Sequence, residues 1–261
     1  MTEHSIREYL AVDCPCLECF DVIDSTNTYL KQKAAEGAVH KSVTAADAQT
    51  AGRGRMRRTF QSPKGKGLYL SVLLRPGLPA EKLMRSTGMA AVAAARAVER
   101  ISGAKAGIKW TNDLVLNGRK LCGILAETVM MGEDIALVIG VGINVCQERS
   151  DFEGEVADIA TSLAAEGYPV ERPALAAALV EELFCLSDRL GGDIEGYLAE
   201  YRSRCVTLGK EVRLLWTEGQ ERAFAVDIDE AFGLVVRRGG GETSTVKTGE
   251  VSVRGLYGYI E

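Results

Sequence analysis

The run Asp134-Ile135-Ala136-Leu137-Val138-Ile139-Gly140-Val141-Gly142-Ile143-Asn144-Val145 constrains the fold more tightly than any other stretch of the chain. Side chains on a strand alternate between faces, so Ile135, Leu137, Ile139, Val141, Ile143 and Val145 share one side. The opposite side carries Ala136, Val138, Gly140, Gly142 and Asn144. The first face belongs to a core. The second tapers to bare backbone and ends in an amide. Glycines cost a strand packing and backbone entropy, so something lies against that face. A packed helix satisfies the requirement, and the terminal Asn144 favours the edge of a polar ligand.

Other segments supply a sheet for this strand to join. Residues 18–23, 42–46 and 67–74 read as strands, the last mostly buried. Asp24-Ser25-Thr26-Asn27 offers capping side chains for a helix that runs to Glu36 and stops at Gly37. Such a strand-to-helix corner aims backbone amides and short hydroxyls at one point, and it is also what a plain helix cap looks like. Residues 81–101 form a helix whose inner face is largely alanine (Ala90, Ala91, Ala94), which permits close approach to a sheet. Asn117-Gly118 between two apolar runs marks a hairpin, with residues 120–127 as its return arm. A leucine stripe (Leu175, Leu179, Leu183, Leu186, Leu190) sits between Pro173 and Gly191-Gly192, and residues 194–205 add a helix with Leu198 and Tyr201 inward. Beyond Gly209 the pattern changes to short strands at 211–216, 222–228, 233–237, 245–247 and 250–254. Turns at Glu218-Gly219 and Gly239-Gly240-Gly241 separate them. The expected architecture is α+β, divided into residues 1–208 and a small all-β unit, 209–261.

Charge singles out one loop. The chain carries a net charge of -5, yet Gly52-Arg53-Gly54-Arg55-Met56-Arg57-Arg58 holds four arginines and no acid follows before Gly67. Glycines let backbone amides approach an anion, and guanidinium forks match carboxylate or phosphate. The same run also reads as a solvated basic turn or a nucleic-acid patch. Hydrophobic content of 46% and charged content of 26% are ordinary for a globular protein. No segment reaches the roughly 20 apolar residues of a membrane helix, and the start resembles no signal peptide. A cytoplasmic protein with reduced thiols is the expectation for its seven cysteines. Cys14, Cys16 and Cys19 cluster, but a metal site needs a further ligand and the chain has only His4 and His40 as histidines.

The ligand-like elements also have an order. Ser25-Thr26-Asn27 comes first, then Gln49 with Gly52-Arg53-Gly54-Arg55 and Arg58. Lys109-Trp110-Thr111-Asn112-Asp113 follows with Lys120, Gly123 and Glu127, and Gly140-Val141-Gly142-Ile143-Asn144 comes last. This series resembles the biotin protein ligases, whose pattern runs STN, Q-x-x-GRGR-x-x-R, KWPND with K-x-x-GIL-x-E, and G-x-G-IN. The resemblance covers nearly the whole chain. It departs at Thr111, where the family usually has proline, at Arg57, where glycine is frequent, and at Phe60, where tryptophan is frequent.

The resemblance implies a mixed-sheet catalytic domain with helices packed on it, of the class II aminoacyl-tRNA synthetase-like kind, and a C-terminal SH3-like β-barrel. It implies that biotin is activated by ATP, with Mg²⁺, to biotinyl-5′-AMP and passed to a lysine of a biotin carboxyl carrier domain. In its terms Ser25, Thr26, Asn27, Gln49, Gly52, Arg53, Gly54, Arg55, Lys120, Gly123 and Gly142 serve biotin. Arg55, Arg58, Phe60, Asn112, Asp113 and Asn144 serve the nucleotide, with Phe60 packed on adenine and Asp113 as the metal neighbour. Lys120, Arg55 and Arg58 are the catalytic cations. The family often dimerises through its sheet, so a homodimer is a further implication. A lipoate- or octanoate-transferring relative is the alternative within the enzyme class. About ten residues before the first strand leave no room for a winged helix, so a form without a DNA-binding domain is expected, not a biotin-responsive repressor.

Overall fold

The computed structural model describes residues 1–132, 134–216, 219–247 and 252–255, with the side chains of Arg57, Glu155 and residues 252–255 excluded. Eight strand and helix segments lead into the central hairpin. They are α1 (Glu3–Arg7), β1 (Cys16–Ile23), α2 (Thr26–Ala35), β2 (Ser42–Gln49), β3 (Gly67–Leu74), α3 (Ala80–Leu83), α4 (Ser86–Ser102) and β4 (Gly107–Lys109). Then come β5 (Asp113–Leu116), β6 (Arg119–Met131), β7 (Asp134–Asn144), α5 (Arg172–Arg189) and α6 (Glu195–Arg204). The first sheet has the order β1-β2-β3-β7-β6-β5-β4, parallel between β1 and β2 and antiparallel elsewhere. It is a mixed sheet with helices on both faces.

The strand that opened the sequence reading lies at the centre of that sheet. Its apolar side joins the main core, where Leu137, Ile139, Val141 and Ile143 meet the alanines of α4 and the leucines of α5. Alanine lets α4 sit close, and all of Ala90, Ala91, Ala93, Ala94 and Ala95 are buried. The bare side is divided between the two readings it allowed. Ala136 and Val138 pack with Leu30 and Ala34 of α2, so a helix covers that half. Gly140 faces Asn27 in the first turn of α2, and Gly142 lies beyond the helix and faces the Phe60 ring.

One helix differs from expectation. The segment read as a single helix over 81–101 is two, with a turn at Met84 and Arg85. Only Leu83 of α3 is buried, whereas α4 is buried almost all round from Ser86 to Ala95, so the two segments answer to different surroundings. The Asn117-Gly118 hairpin forms as read, with φ of 48° and 81° at its two residues, the pairing that twisted hairpins require.

The second sheet comprises β8 (Glu211–Trp216), β9 (Gly219–Ile228), β10 (Leu234–Arg237), β11 (Thr243–Val246) and β12 (Ser252–Gly255), all antiparallel, in the order β11-β10-β9-β8-β12. Of the expected strand 250–254, its first two residues lie outside the described residues, as does Glu218 of the expected turn. This sheet docks through the turn between β9 and β10. The Phe232 ring occupies space that a side chain at position 88 of α4 would need, since a Cβ on Gly88 would lie 2.2 Å from it. It also meets Tyr201 edge-on at 5.2 Å between centroids. Its carbonyl accepts a hydrogen bond from Trp110 Nε1 at 2.9 Å, and Tyr201 donates to the Thr111 carbonyl at 3.1 Å. The turn that carries Asn112 and Asp113 is thereby held from behind. Among the described residues no helix is long and apolar enough to cross a membrane.

Candidate active site

Strand register builds the floor of a small pocket. Gly142 pairs with Gly123 of β6 on one side and Tyr69 of β3 on the other; Gly140 pairs with Leu125 and Ser71. The walls come from the start of α2. Ser25 caps that helix, accepting from Thr28 N at 3.4 Å, so the cap reading and the pocket reading both hold. Thr26 N and Oγ1 both donate to Gln49 Oε1, at 2.9 and 3.2 Å. Gln49 Nε2 then donates to Ser62 Oγ at 3.0 Å, which itself lies 3.1 Å from the Phe60 carbonyl. Ser71 Oγ sits 2.7 Å from Thr26 Oγ1 and 2.6 Å from Asn27 Oδ1. Asn27 Nδ2 donates to Leu125 O at 3.2 Å and Glu127 Oε2 at 3.0 Å. Apart from the Glu127 carboxylate at its end, these are neutral groups linked in one network, held against a cavity of about 30 Å³. A fully connected buried network of this kind is rigid.

A Cβ on Gly140 would lie 2.0 Å from Asn27 Oδ1, and one on Gly142 would lie 2.6 Å from the Phe60 ring. Glycine is required at both positions for close approach. The Phe60 ring, resting over Gly123 and Gly142, is the partition between this pocket and a second cavity of about 950 Å³.

The larger cavity is cationic. Arg53, Arg55, Arg58, Lys109 and Lys120 line it, with Asp113 and Asp151 as carboxylates. Lys120 Nζ donates to Asp113 Oδ1 at 2.7 Å. Asn112 is gripped through three bonds: its Nδ2 donates to Ile124 O at 2.7 Å, its carbonyl accepts from Ile124 N at 3.0 Å, and its Oδ1 accepts from Arg55 Nη1 at 3.2 Å. Arg55 is thus oriented from one side only; its Nη2 is buried without a hydrogen-bond partner among the described residues. Burial lowers the Arg55 pKa from its ordinary value and the nearby Arg58 charge adds to the shift, with Asp113 opposing. An anion in the cavity relieves both penalties.

The arginine loop is a tight structure. Phe60 N donates to Gly52 O at 2.9 Å and Gly54 N to Arg58 O at 2.7 Å, while Arg53 bridges to Thr59. A Cβ on Gly52 would lie 2.3 Å from the Phe60 carbonyl, so that glycine serves the turn and lines neither cavity. Met56 adopts a φ of 53° at the tip. Arg53 reaches Glu127 at 3.3 Å, a carboxylate that also holds Lys31 at 2.8 Å. Burial works to raise the Glu127 pKa, but the bonds from Lys31 and Asn27 and the Arg53 charge outweigh it, and the carboxyl lies below its ordinary value.

The structure divides the residues singled out from sequence between the two cavities. Ser25, Thr26, Asn27, Gln49 and Gly142 line the small pocket; Gly54, Arg55, Arg58, Asn112, Asp113, Lys120 and Asn144 line the large one; Arg53, Phe60 and Gly123 line both. Sequence reasoning missed Ser71, Ser62, Tyr69 and Gln147. Ser71 and Tyr69 had a signal, since they alternate on β3 and face the same side as the glycines once the register is known. Gln147 lies three residues after Asn144, past the end of β7, and nothing in the sequence marked it. The Cys14–Cys19 cluster stays outside the site: burial pushes the thiols of Cys14 and Cys19 up to about 11, and among the described residues no group of three or more His, Cys, Asp or Glu is placed to hold a metal.

With this geometry in place, comparison with known proteins becomes specific. Residues 19–144 match the model of the biotin/lipoate A/B protein ligase family. The sequence is 32% identical over 261 residues to a biotin--[acetyl-CoA-carboxylase] ligase from Mycobacterium tuberculosis, covering 96% of this chain and 95% of the relative. The chain belongs to the biotin protein ligase family. It is also 40% identical over 171 residues to the bifunctional ligase/repressor BirA of Bacillus spizizenii, where the match takes in 65% of this chain and about half, 52%, of that relative's length. In three dimensions it resembles the biotin protein ligase from Aquifex aeolicus in complex with biotin and ATP, with a TM-score of 0.79 at 28% identity, over 92% of this chain and 99% of that one.

Proposed function

We infer that this chain is an ATP-dependent ligase that activates biotin as biotinyl-5′-AMP and transfers it to a lysine of a biotin carboxyl carrier domain. The observation that carries the reading is the partition at Phe60. A small pocket whose interlocked hydrogen-bonding groups are neutral, apart from the shared Arg53, lies on one side and a cationic cavity on the other. A neutral ureido ring suits the first, with donors and acceptors from Ser25, Thr26, Asn27 and Gln49. A triphosphate suits the second.

In the first step a biotin carboxylate oxygen attacks the α-phosphorus, and the bond to pyrophosphate breaks with its electron pair leaving on oxygen. Carboxylate and polyphosphate repel, so fixed positive charge must bring them together. Lys120 and Arg53 hold the carboxylate, Arg55 and Arg58 take the phosphate charge, and Asn112 and Asn144 sit on the nucleotide side. Lys120 and Arg53 are each paired with an internal carboxylate, Asp113 and Glu127. The substrate's anionic groups replace these partners, at small further desolvation cost for Lys120, whose side chain is 27% exposed, and at a larger one for Arg53, which is 46% exposed. In the second step the neutral amine of the carrier lysine attacks the acyl carbon, AMP leaves with the C–O electron pair, and the nitrogen loses a proton.

Magnesium fits this cavity as an ion carried on the phosphates. The lining carboxylates are few, and Asp113 is the one placed beside Lys120. Asp113 would be the residue that holds such a hard cation beside the phosphates. The ion supplies charge neutralisation. The C-terminal unit beginning at Gly209, the division proposed for the chain, buttresses the turn of Asn112 through Phe232. The reduced cysteines accord with a cytoplasmic setting.

Incubation with biotin, MgATP and a carrier domain tests the reading: the carrier lysine gains the mass of a biotinyl group. Lipoate or octanoate transferred in competition with biotin would replace it with the acyltransferase alternative.

A further inference from the structure

One buried group in the large cavity has no role in the chemistry above. Gln147 is 1% exposed and lines the cavity beside Asn144. Its carboxamide orientation is set by a chain of bonds that admits one solution. The Thr161 carbonyl only accepts, so Asn144 must present Nδ2 to it, at 2.9 Å. Asn144 Oδ1 then faces Gln147 and receives Gln147 Nε2 at 3.1 Å. Gln147 Oε1 is left as a buried acceptor with no partner among the described residues. A buried acceptor left unpaired is destabilising until a ligand donor reaches it. The backbone is locked as well, because Ser162 Oγ donates to the Gln147 carbonyl and Leu163 N to the Asn144 carbonyl.

The neighbouring wall is apolar. The loop that supplies Thr161 and Ser162 continues back through Ala160, Ile159, Val156 and Phe152, all of which line the cavity. Phosphates have no use for such a wall, whereas a planar base does. We propose that Gln147 Oε1 is the acceptor that selects the base of the nucleotide, receiving the exocyclic amine of adenine and turning away purines with a carbonyl or hydrogen there. The assignment rests on the ligase reading above and names the residue that gives it base specificity. A carbonyl oxygen at that position would meet Gln147 Oε1 acceptor to acceptor. A bare hydrogen would leave Oε1 unpaired. A site built around a hydrogen bond rejects the analogue that lacks it for this reason.

The test compares biotin-dependent pyrophosphate release from ATP, from inosine triphosphate, and from the purine ribonucleoside triphosphate without the amino group. The natural protein is expected to prefer ATP to both, by ~10-fold or more in kcat/KM. In Gln147→Met that preference is expected to collapse to within ~3-fold, mainly through loss with ATP. A variant with a loosened site loses rate with all three nucleotides in proportion and keeps the ratio, and that result overturns the proposal. So does comparable use of ATP and the deaminated analogue by the natural protein, a readout that needs no variant. Failure of the natural protein to release pyrophosphate with any nucleotide overturns the ligase reading instead, and the base assignment with it.

Discussion

The two cavities separated by Phe60 solve recognition in opposite ways. In the small pocket the polar side chains already satisfy one another, from Ser71 through Thr26 to Gln49 and Ser62. In the large cavity, charge and hydrogen-bonding capacity are held in reserve, with Arg55 Nη2 and Gln147 Oε1 buried and unpaired among the described residues. A neutral ligand brings little electrostatic energy, so its site must be rigid before it arrives. A polyanion brings a great deal, which offsets the burial of several cations.

Removing a cation gives the largest effect that this contrast predicts. Arg55→Ala and Lys120→Ala should each lower adenylate formation by at least ~10²-fold, while biotin binding measured by calorimetry falls far less for Arg55→Ala. Equal losses in both measurements would merge the two cavities into one functional unit. Filling the floor of the small pocket comes next. Gly140→Ala places a Cβ 2.0 Å from Asn27 Oδ1, which should cost about 1–3 kcal/mol of stability and weaken biotin ~10-fold or more, seen in thermal melts and calorimetry. An unchanged biotin affinity would show that the Asn27 circuit does not shape the pocket.

Ser71→Ala removes one donor from that circuit. About 1 kcal/mol of stability should be lost, with a several-fold rise in the KM for biotin and little change in the KM for ATP. Salt separates the cavities without mutation: raising ionic strength from about 0.05 M to about 0.5 M should raise the KM for ATP a few-fold and that for biotin less. The reverse order would contradict the assignment of the cationic side to the nucleotide. The smallest effect concerns acid. Glu127 titrates below its ordinary value of 4.5 in the folded chain, so its contribution is present above that value and is lost as pH falls through the lower folded one. Glu127→Gln should therefore flatten the fall of Tm below pH 4.5. An identical acid slope in both proteins would remove Glu127 from the account.

Local patterns carried much of this into the sequence. The two-sided strand 134–145, the Ser25 cap, the Asn117-Gly118 hairpin and the leucine stripe of α5 depend on periodicity and turn chemistry, and each formed as read. The break at Met84 and Arg85 had only a weak signal in the poor helix formers Ser86-Thr87-Gly88 beside it, and the different surroundings of α3 and α4 place it. Gly52 stands in a basic loop, which suggests a ligand contact; the Phe60 carbonyl 2.3 Å from its missing Cβ adds a requirement of the turn itself that no local pattern encodes.

By itself, the sequence determined which side chains were available: a glycine-faced strand, a basic loop, and amides and hydroxyls at the right ends of strands and helices. Tertiary structure decided how they were shared out. Strand register put Tyr69 and Ser71 beside Gly142 and Gly140, and it brought Gly123 opposite Gly142 to make a floor on which the Phe60 ring rests. Register and long-range hydrogen bonds join residues far apart in the chain, and no local pattern encodes the distance between them. The bare face of β7 thus proved to be a surface with two occupants, α2 over one half and the partition between two cavities over the other.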